Sequence, residues 1–199
     1  MKRAHFDDED DLDNYLDEDG TPSEVACQKL AENVQVENGM GTVLKVHDWY
    51  VYDDYFVVIT EYEFGFITLY DYTNNQKDQR VSEEESRAIY LLLSKLVLKM
   101  NQKGVYHLDL KPSNVLYNPM SKRVKLIDFG HSTSCDAGKN PLIGHTCGTD
   151  GMITPQQAKQ DECSARSIDE WGVAQVCYCF FFQFTKLILA GYIYIQITS

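Results

Sequence analysis

Positive charge is scarce in this chain. Its 18 Lys and Arg face 30 Asp and Glu, a formal net charge of −12 over 199 residues. A general nucleic-acid binder needs a basic footprint, so nucleic acid is not an expected partner. Paired cysteines are lacking too. Cys27, Cys135, Cys147, Cys163, Cys177 and Cys179 are scattered, with no CxxC pair and no His at ligand spacing, which argues against a structural zinc site. Met1 to His5 leads into acidic residues, not into the apolar stretch of a secretory signal. Free thiols in the cytosol or nucleus are therefore expected. No internal repeat is present, and the one biased tract is the acidic run from Asp7 to Asp19. With Leu12, Tyr15 and Leu16 as its only large apolar residues, that run cannot offset its ordering entropy. Residues 1–20 are expected to form an acidic disordered tail. An uninterrupted membrane span is absent as well. Val173 to Ile195 is apolar, but Gln175, Gln183, Thr185 and Lys186 break it, so a buried core helix is expected and no membrane partner.

What is there suffices for one domain. Hydrophobic residues make up 44% and aromatics 12%, enough for a sizeable core. Thr21-Pro22-Ser23-Glu24 predicts a helix start, with Thr21 as cap, Pro22 first and Glu24 completing a capping box. That helix should run through Leu30 towards Val34. Val43 to Val51 and Tyr55 to Thr60, split by Asp53-Asp54, predict a hairpin. Ile89, Leu92, Leu93, Leu96, Val97 and Met100 repeat at helical spacing, so Ser82 to Gly104 predicts a helix. Ser82 with Glu85 caps its start and Gly104 suits a left-handed stop. Val115 to Tyr117 and Val124 to Ile127 predict two short strands.

Four motifs follow in order. His107-Leu108-Asp109-Leu110-Lys111-Pro112-Ser113-Asn114 is followed by Asp128-Phe129-Gly130, then Cys147-Gly148-Thr149 with Thr154-Pro155, then Asp169-Glu170-Trp171. Together they resemble a eukaryotic-type serine/threonine protein kinase domain, namely its catalytic loop, its metal-binding triplet, the end of its activation segment and the start of its anchoring helix. Each alone is a weak signal, because an isolated Asp or Asn in a loop is usually a turn former. The resemblance runs from Pro22 to Phe180. Ser23-Glu24-Val25, Val46-His47-Asp48-Trp49, Leu69-Tyr70-Asp71-Tyr72 and Lys125-Leu126-Ile127-Asp128-Phe129-Gly130 are most similar to Pim-type kinases of the calmodulin-kinase group.

The resemblance implies an α+β, two-lobed kinase-like fold. Its upper lobe would be stunted to a helix plus a β-hairpin, above an incomplete, mainly helical lower lobe. Residues 21–182 would form the partial kinase domain, and residues 183–199 a divergent apolar segment. ATP and Mg2+ are the implied cofactors, and a protein bearing Ser or Thr the implied substrate. Asp109 would accept the hydroxyl proton, Lys111 would reach the transferring phosphate, and Asn114 and Asp128 would offer oxygens to magnesium. Thr60 would be gatekeeper, the main chain of Glu61 and Glu63 would meet adenine, and Leu116 would lie beneath it. Glu24 would pair with the nucleotide-gripping lysine, or else serve only as a helix cap.

Three departures qualify the likeness. No Gly-rich loop precedes Glu24, and only Lys2 and Arg3 carry positive charge there, so the roof and strand lysine are expected to be missing. Leucine at 108 replaces the arginine that answers an activation-loop phosphate, which implies no such switch. Gln156 stands where the family has glutamate, and the later lower-lobe helices are not in the sequence. Two readings stay open: a kinase domain, or a pseudokinase or truncated isoform acting as a binding module for a protein partner. A third, tethering to a membrane through the apolar C-terminus, requires the uninterrupted span that the sequence does not offer.

Overall fold

The computed structural model describes residues 2–5, 15–76, 81–144 and 147–182. Residues 183–199, the expected divergent segment, lie outside the described residues.

In the upper lobe, β1 (Lys2–His5), β4 (Val46–Val51) and β5 (Tyr55–Thr60) form an antiparallel sheet in the order β1-β5-β4. Helix α1 (Ser23–Ala31) covers it, and Val25, Val46, Phe56 and Val58 close a small core with Leu16 and Trp49. Two expectations need correction here. Residues 1–20 are not uniformly a structureless tail, because Lys2–His5 pairs with Tyr55–Val58 and residues 15–20 form a turn. Backbone pairing with an existing strand supplies the ordering that side-chain hydrophobicity could not. Residues 6–14 of that expected tail lie outside the described residues. The second correction concerns the helix start. Pro22 is the cap and makes no side-chain hydrogen bond, so the predicted Thr21–Glu24 capping box is absent, and the helix stops at Ala31.

The predicted hairpin is present over Val46–Val51 and Tyr55–Thr60, but its first residues belong elsewhere. β3 (Gly41–Val43) turns away and pairs in parallel with β9 (Arg123–Leu126). With β2 (Gln35–Val36), β6 (Ile67–Thr68) and β8 (Val115–Asn118) it builds a five-stranded sheet in the order β2-β3-β9-β8-β6. Helix α2 (Leu69–Asn74) follows β6, with Thr68 as its side-chain cap.

The longest helix, α3 (Glu83–Gln102), forms as predicted. Ser82 accepts a hydrogen bond from the Glu85 amide, and the predicted apolar face is buried. Burying each of Ile89, Leu93, Leu96 and Met100 contributes about 1.5–3 kcal/mol. Gly104 ends it at φ +81, where a Cβ would stand 2.1 Å from the Cys135 carbonyl oxygen. β7 (Val105–Tyr106) then pairs with β10 (Thr133–Ser134), and β11 (Leu142–Ile143) with β12 (Cys163–Ser164). Helix α4 (Pro155–Ala158) is one turn long, and α5 (Ala165–Phe182) packs along α3. No helix among the described residues is long and apolar enough to cross a membrane.

Candidate active site

The loop between β7 and β8 is held open by a buried scaffold. Asp169 sits inside α5, not at its start, and is 1% exposed. Its carboxylate accepts from the amides of His107 (3.1 Å) and Leu108 (2.8 Å) and from Asn101 Nδ2 (2.8 Å). Burial pushes its pKa up, while the neighbouring His107 and these donors pull the other way. The amide bonds stabilise a left-handed turn at Leu108, φ +63, a conformation costly for a branched residue. His107 is fully buried, donates from Nε2 to the Ile127 carbonyl at 3.0 Å, and accepts the Asp109 amide on Nδ1 at 3.3 Å. Phe129, also fully buried, packs against it at 4.8 Å between ring centroids. The catalytic-loop and Asp-Phe-Gly motifs are thereby fastened to each other.

Asp109 projects from this scaffold and is 5% exposed. Thr149 Oγ1 donates to its Oδ1 at 2.8 Å, and Lys111 Nζ lies 2.7 Å from its Oδ2 and 2.5 Å from Thr149 Oγ1. Three residue types thus form a closed triangle of acid, base and hydroxyl. Gly148 lets Thr149 approach. At φ +93, a Cβ there would stand 2.9 Å from the Leu108 carbonyl oxygen. Asn114 spends its Nδ2 on the Asp109 carbonyl (2.9 Å) and Oδ2 (3.1 Å), which leaves its amide oxygen as the acceptor for a cation. Asp128, at φ +66, faces Asp109 across a cavity of about 340 Å3. Glu24 borders the same cavity from α1. No capping box forms at the start of this helix.

Thr60, Glu61, Glu63 and Leu116 are not among the residues lining that cavity. Lys125, 3% exposed, places its ammonium 2.6 Å from Glu61 Oε1 and 2.5 Å from Glu63 Oε1. Arg123 adds a 3.0 Å pair to Glu63. The bond from Lys125 is the main reason the Glu63 carboxyl sits below its ordinary pKa. Leu116 lies directly across from Lys125 on β8 and β9, so it shares the sheet face on which Glu61 and Glu63 stand. Thr60 ends β5 just before this connection.

Several contributors were not among the expected site residues. Asp169 and His107 act from within the scaffold, and Lys125 ties the two lobes. The sequence signal for Lys125 was a lysine flanked by Val124 and Leu126 in a short strand. Gln157, not Gln156, is the buried residue after Thr154-Pro155. It completes a capping box with Thr154 and donates to the Cys147 carbonyl at 3.1 Å.

A two-lobed α+β chain with this buried loop, this turn and the cavity between them has the arrangement of a protein kinase. The comparisons agree, and the chain belongs to that family: the protein kinase domain model matches residues 11–188. Among curated relatives it is similar to CBL-interacting serine/threonine-protein kinase 3 of Arabidopsis thaliana, 29% identical over 85% of this chain and 34% of that protein. It is also similar to ribosomal protein S6 kinase alpha-3 of Homo sapiens, 35% identical over 64% of this chain and 17% of that protein. The chain therefore spans about a third or less of these relatives' lengths. A solved structure, the Cydia pomonella Granulovirus kinase PK-1, matches with a TM-score of 0.62 at 23% identity, covering 80% of this chain and 54% of that one. That likeness bears on the fold alone.

Proposed function

We propose that this chain transfers the γ-phosphate of ATP to Ser or Thr hydroxyls of a protein substrate. The observation that carries the reading is the Asp109–Lys111–Thr149 triangle, whose Asp109 and Lys111 line one cavity with Asp128. Phosphoryl transfer asks mostly for positioning and charge stabilisation. Asp109 is placed to take the hydroxyl proton, and Lys111 to neutralise charge on the phosphoryl oxygens. The donor set suits magnesium, which takes one or two carboxylates and completes its shell with water and phosphate. Asp128 and the Asn114 amide oxygen would hold the ion, which neutralises phosphate charge when bound. Among the described residues no group of three or more His, Cys, Asp or Glu forms a denser metal cage.

Lys2 lies in β1, in register with Val58 of β5. The finer Pim-type placement rests on the four segments named above. The cytosolic or nuclear setting rests on thiol usage. A second reading is a binding module that has lost catalysis, motivated by an upper sheet that has three strands among the described residues.

Calorimetry with ATP and Mg2+ separates the two. Binding that Asp128→Asn abolishes supports the kinase reading. A folded chain with no magnesium-dependent nucleotide binding supports the module.

A further inference from the structure

The segment from Tyr15 to Pro22 carries no family motif, yet it is tightly built. Leu16 bridges to Pro22 and packs against the upper-lobe core. Asp17 Oδ1 accepts from the amides of Asp19 (3.0 Å) and Thr21 (2.8 Å), and the Asp17 amide donates to the Thr21 carbonyl at 2.8 Å. The Tyr15 carbonyl accepts twice from the first residue of α1, from Ser23 N at 2.7 Å and Ser23 Oγ at 3.1 Å. These bonds hold the strap at one rim of the cavity that Asp109, Lys111 and Asp128 also line, and Tyr15 is among its lining residues.

Tyr15 is 47% exposed, and the cavity beside it still measures about 340 Å3. A residue that blocked the site would be buried in it and leave little room. A volume of a few hundred Å3 is that of a small-molecule site. The cavity's acids, Glu24, Asp109 and Asp128, repel a polyphosphate unless donors and a cation offset them. A phenol O–H is such a donor, and its ring excludes water from one side of the site.

We propose that the strap forms the roof over the phosphate end of the cleft, with Tyr15 as a positioning residue for the phosphates of the nucleotide. This rests on the kinase reading.

The test uses the full chain and two probes, ATP with Mg2+ and adenosine, measured by calorimetry for Tyr15→Ala, Tyr15→Phe and Asp17→Ala. Thermal midpoints are recorded alongside. Tyr15→Ala and Asp17→Ala should weaken MgATP about tenfold, the worth of one hydrogen bond to a charged group, and leave adenosine unchanged. Tyr15→Phe should fall between, because it keeps the ring and loses the donor. MgATP binding by Tyr15→Ala that is equal to or tighter than that of the unsubstituted chain overturns the roof, and tighter binding marks an inhibitory strap. Equal weakening of both probes also overturns it, since that is a merely structural effect. If the unsubstituted chain binds no MgATP, the kinase reading fails and this one with it.

Discussion

Asp169 holds the Leu108 amide at 2.8 Å across 61 residues of sequence. A carboxylate on α5 thus fixes the loop that presents Asp109, so the lower-lobe core and Asp109 form one unit. Replacing Asp169 by Ala would leave two loop amides, and one of the two N–H groups of Asn101 Nδ2, without an acceptor in a buried site. The expected cost is about 3–5 kcal/mol, as for a buried charge network that loses one member. Urea denaturation checks it. Asp169→Asn, which keeps one acceptor oxygen, should cost less than the alanine variant.

Leu108 is 4% exposed and packs in a cluster with Tyr106, Ile143, Cys147 and Ile168. The apolar contact links the catalytic loop to the activation segment where family members use an arginine and a phosphate. Leu108→Arg should therefore destabilise, by about 3 kcal/mol or more, because it buries an unpaired charge. A variant as stable as the original chain, with new dependence on activation-loop phosphorylation, would contradict this.

Lys125 links Glu61 and Glu63 to the β8–β9 hairpin, and Lys125→Met should weaken adenosine binding while costing about 2 kcal/mol, reduced from the fully buried case by partial exposure of Glu63. The pH dependence follows from the sign of the Glu63 shift. Its folded pKa is depressed, first through the hydrogen bond from Lys125. The associated stability is present above the unfolded value of about 4.3 and is lost as pH falls through the folded one. Urea midpoints between pH 5 and 3 should drop less steeply in Lys125→Met than in the unsubstituted chain.

Glu85 gathers two phenols and an ammonium: Tyr72 at 2.9 Å, Tyr117 at 2.6 Å and Lys122 at 2.6 Å. Burial and then the Glu85 bond push the Tyr72 pKa up to about 12, and Tyr117 rises for the same reasons. A raised folded pKa gives stability that is complete below about pH 10 and lost as pH climbs through the folded values. Chemical denaturation from pH 8 to 11.5 should show a falling midpoint. Glu85→Ala should lower stability at pH 7 by about 2–4 kcal/mol through the unpaired phenols, and flatten the alkaline fall.

Local signals were legible wherever chemistry repeats along the chain. The α3 face, its Ser82 cap and Gly104 stop, and the β8–β9 hairpin all follow from spacing within a few residues. The motif residues Asp109, Lys111 and Asn114 could be named because they share one loop. Partnerships across long separations were not legible. Val43 pairs with Leu126 through a parallel register that no local pattern encodes. Lys2–His5 becomes a strand only because β5 offers an open edge. Thr21 looked like a helix cap, but its amide bonds to Asp17 in the preceding turn and the cap position falls at Pro22. Asp169 looked like a helix start, and its role appears only when His107 and Leu108 are brought beneath it.

The central claim is that this chain performs phosphoryl transfer with Asp109 as base. The most direct measurement is transfer of labelled γ-phosphate from MgATP to a Ser/Thr peptide library, comparing the unsubstituted chain with Asp109→Asn. The account predicts incorporation on Ser or Thr that falls at least a hundredfold in the variant, as for loss of a general base. A folded chain that binds MgATP yet labels no peptide, or labels it equally after Asp109→Asn, would contradict it.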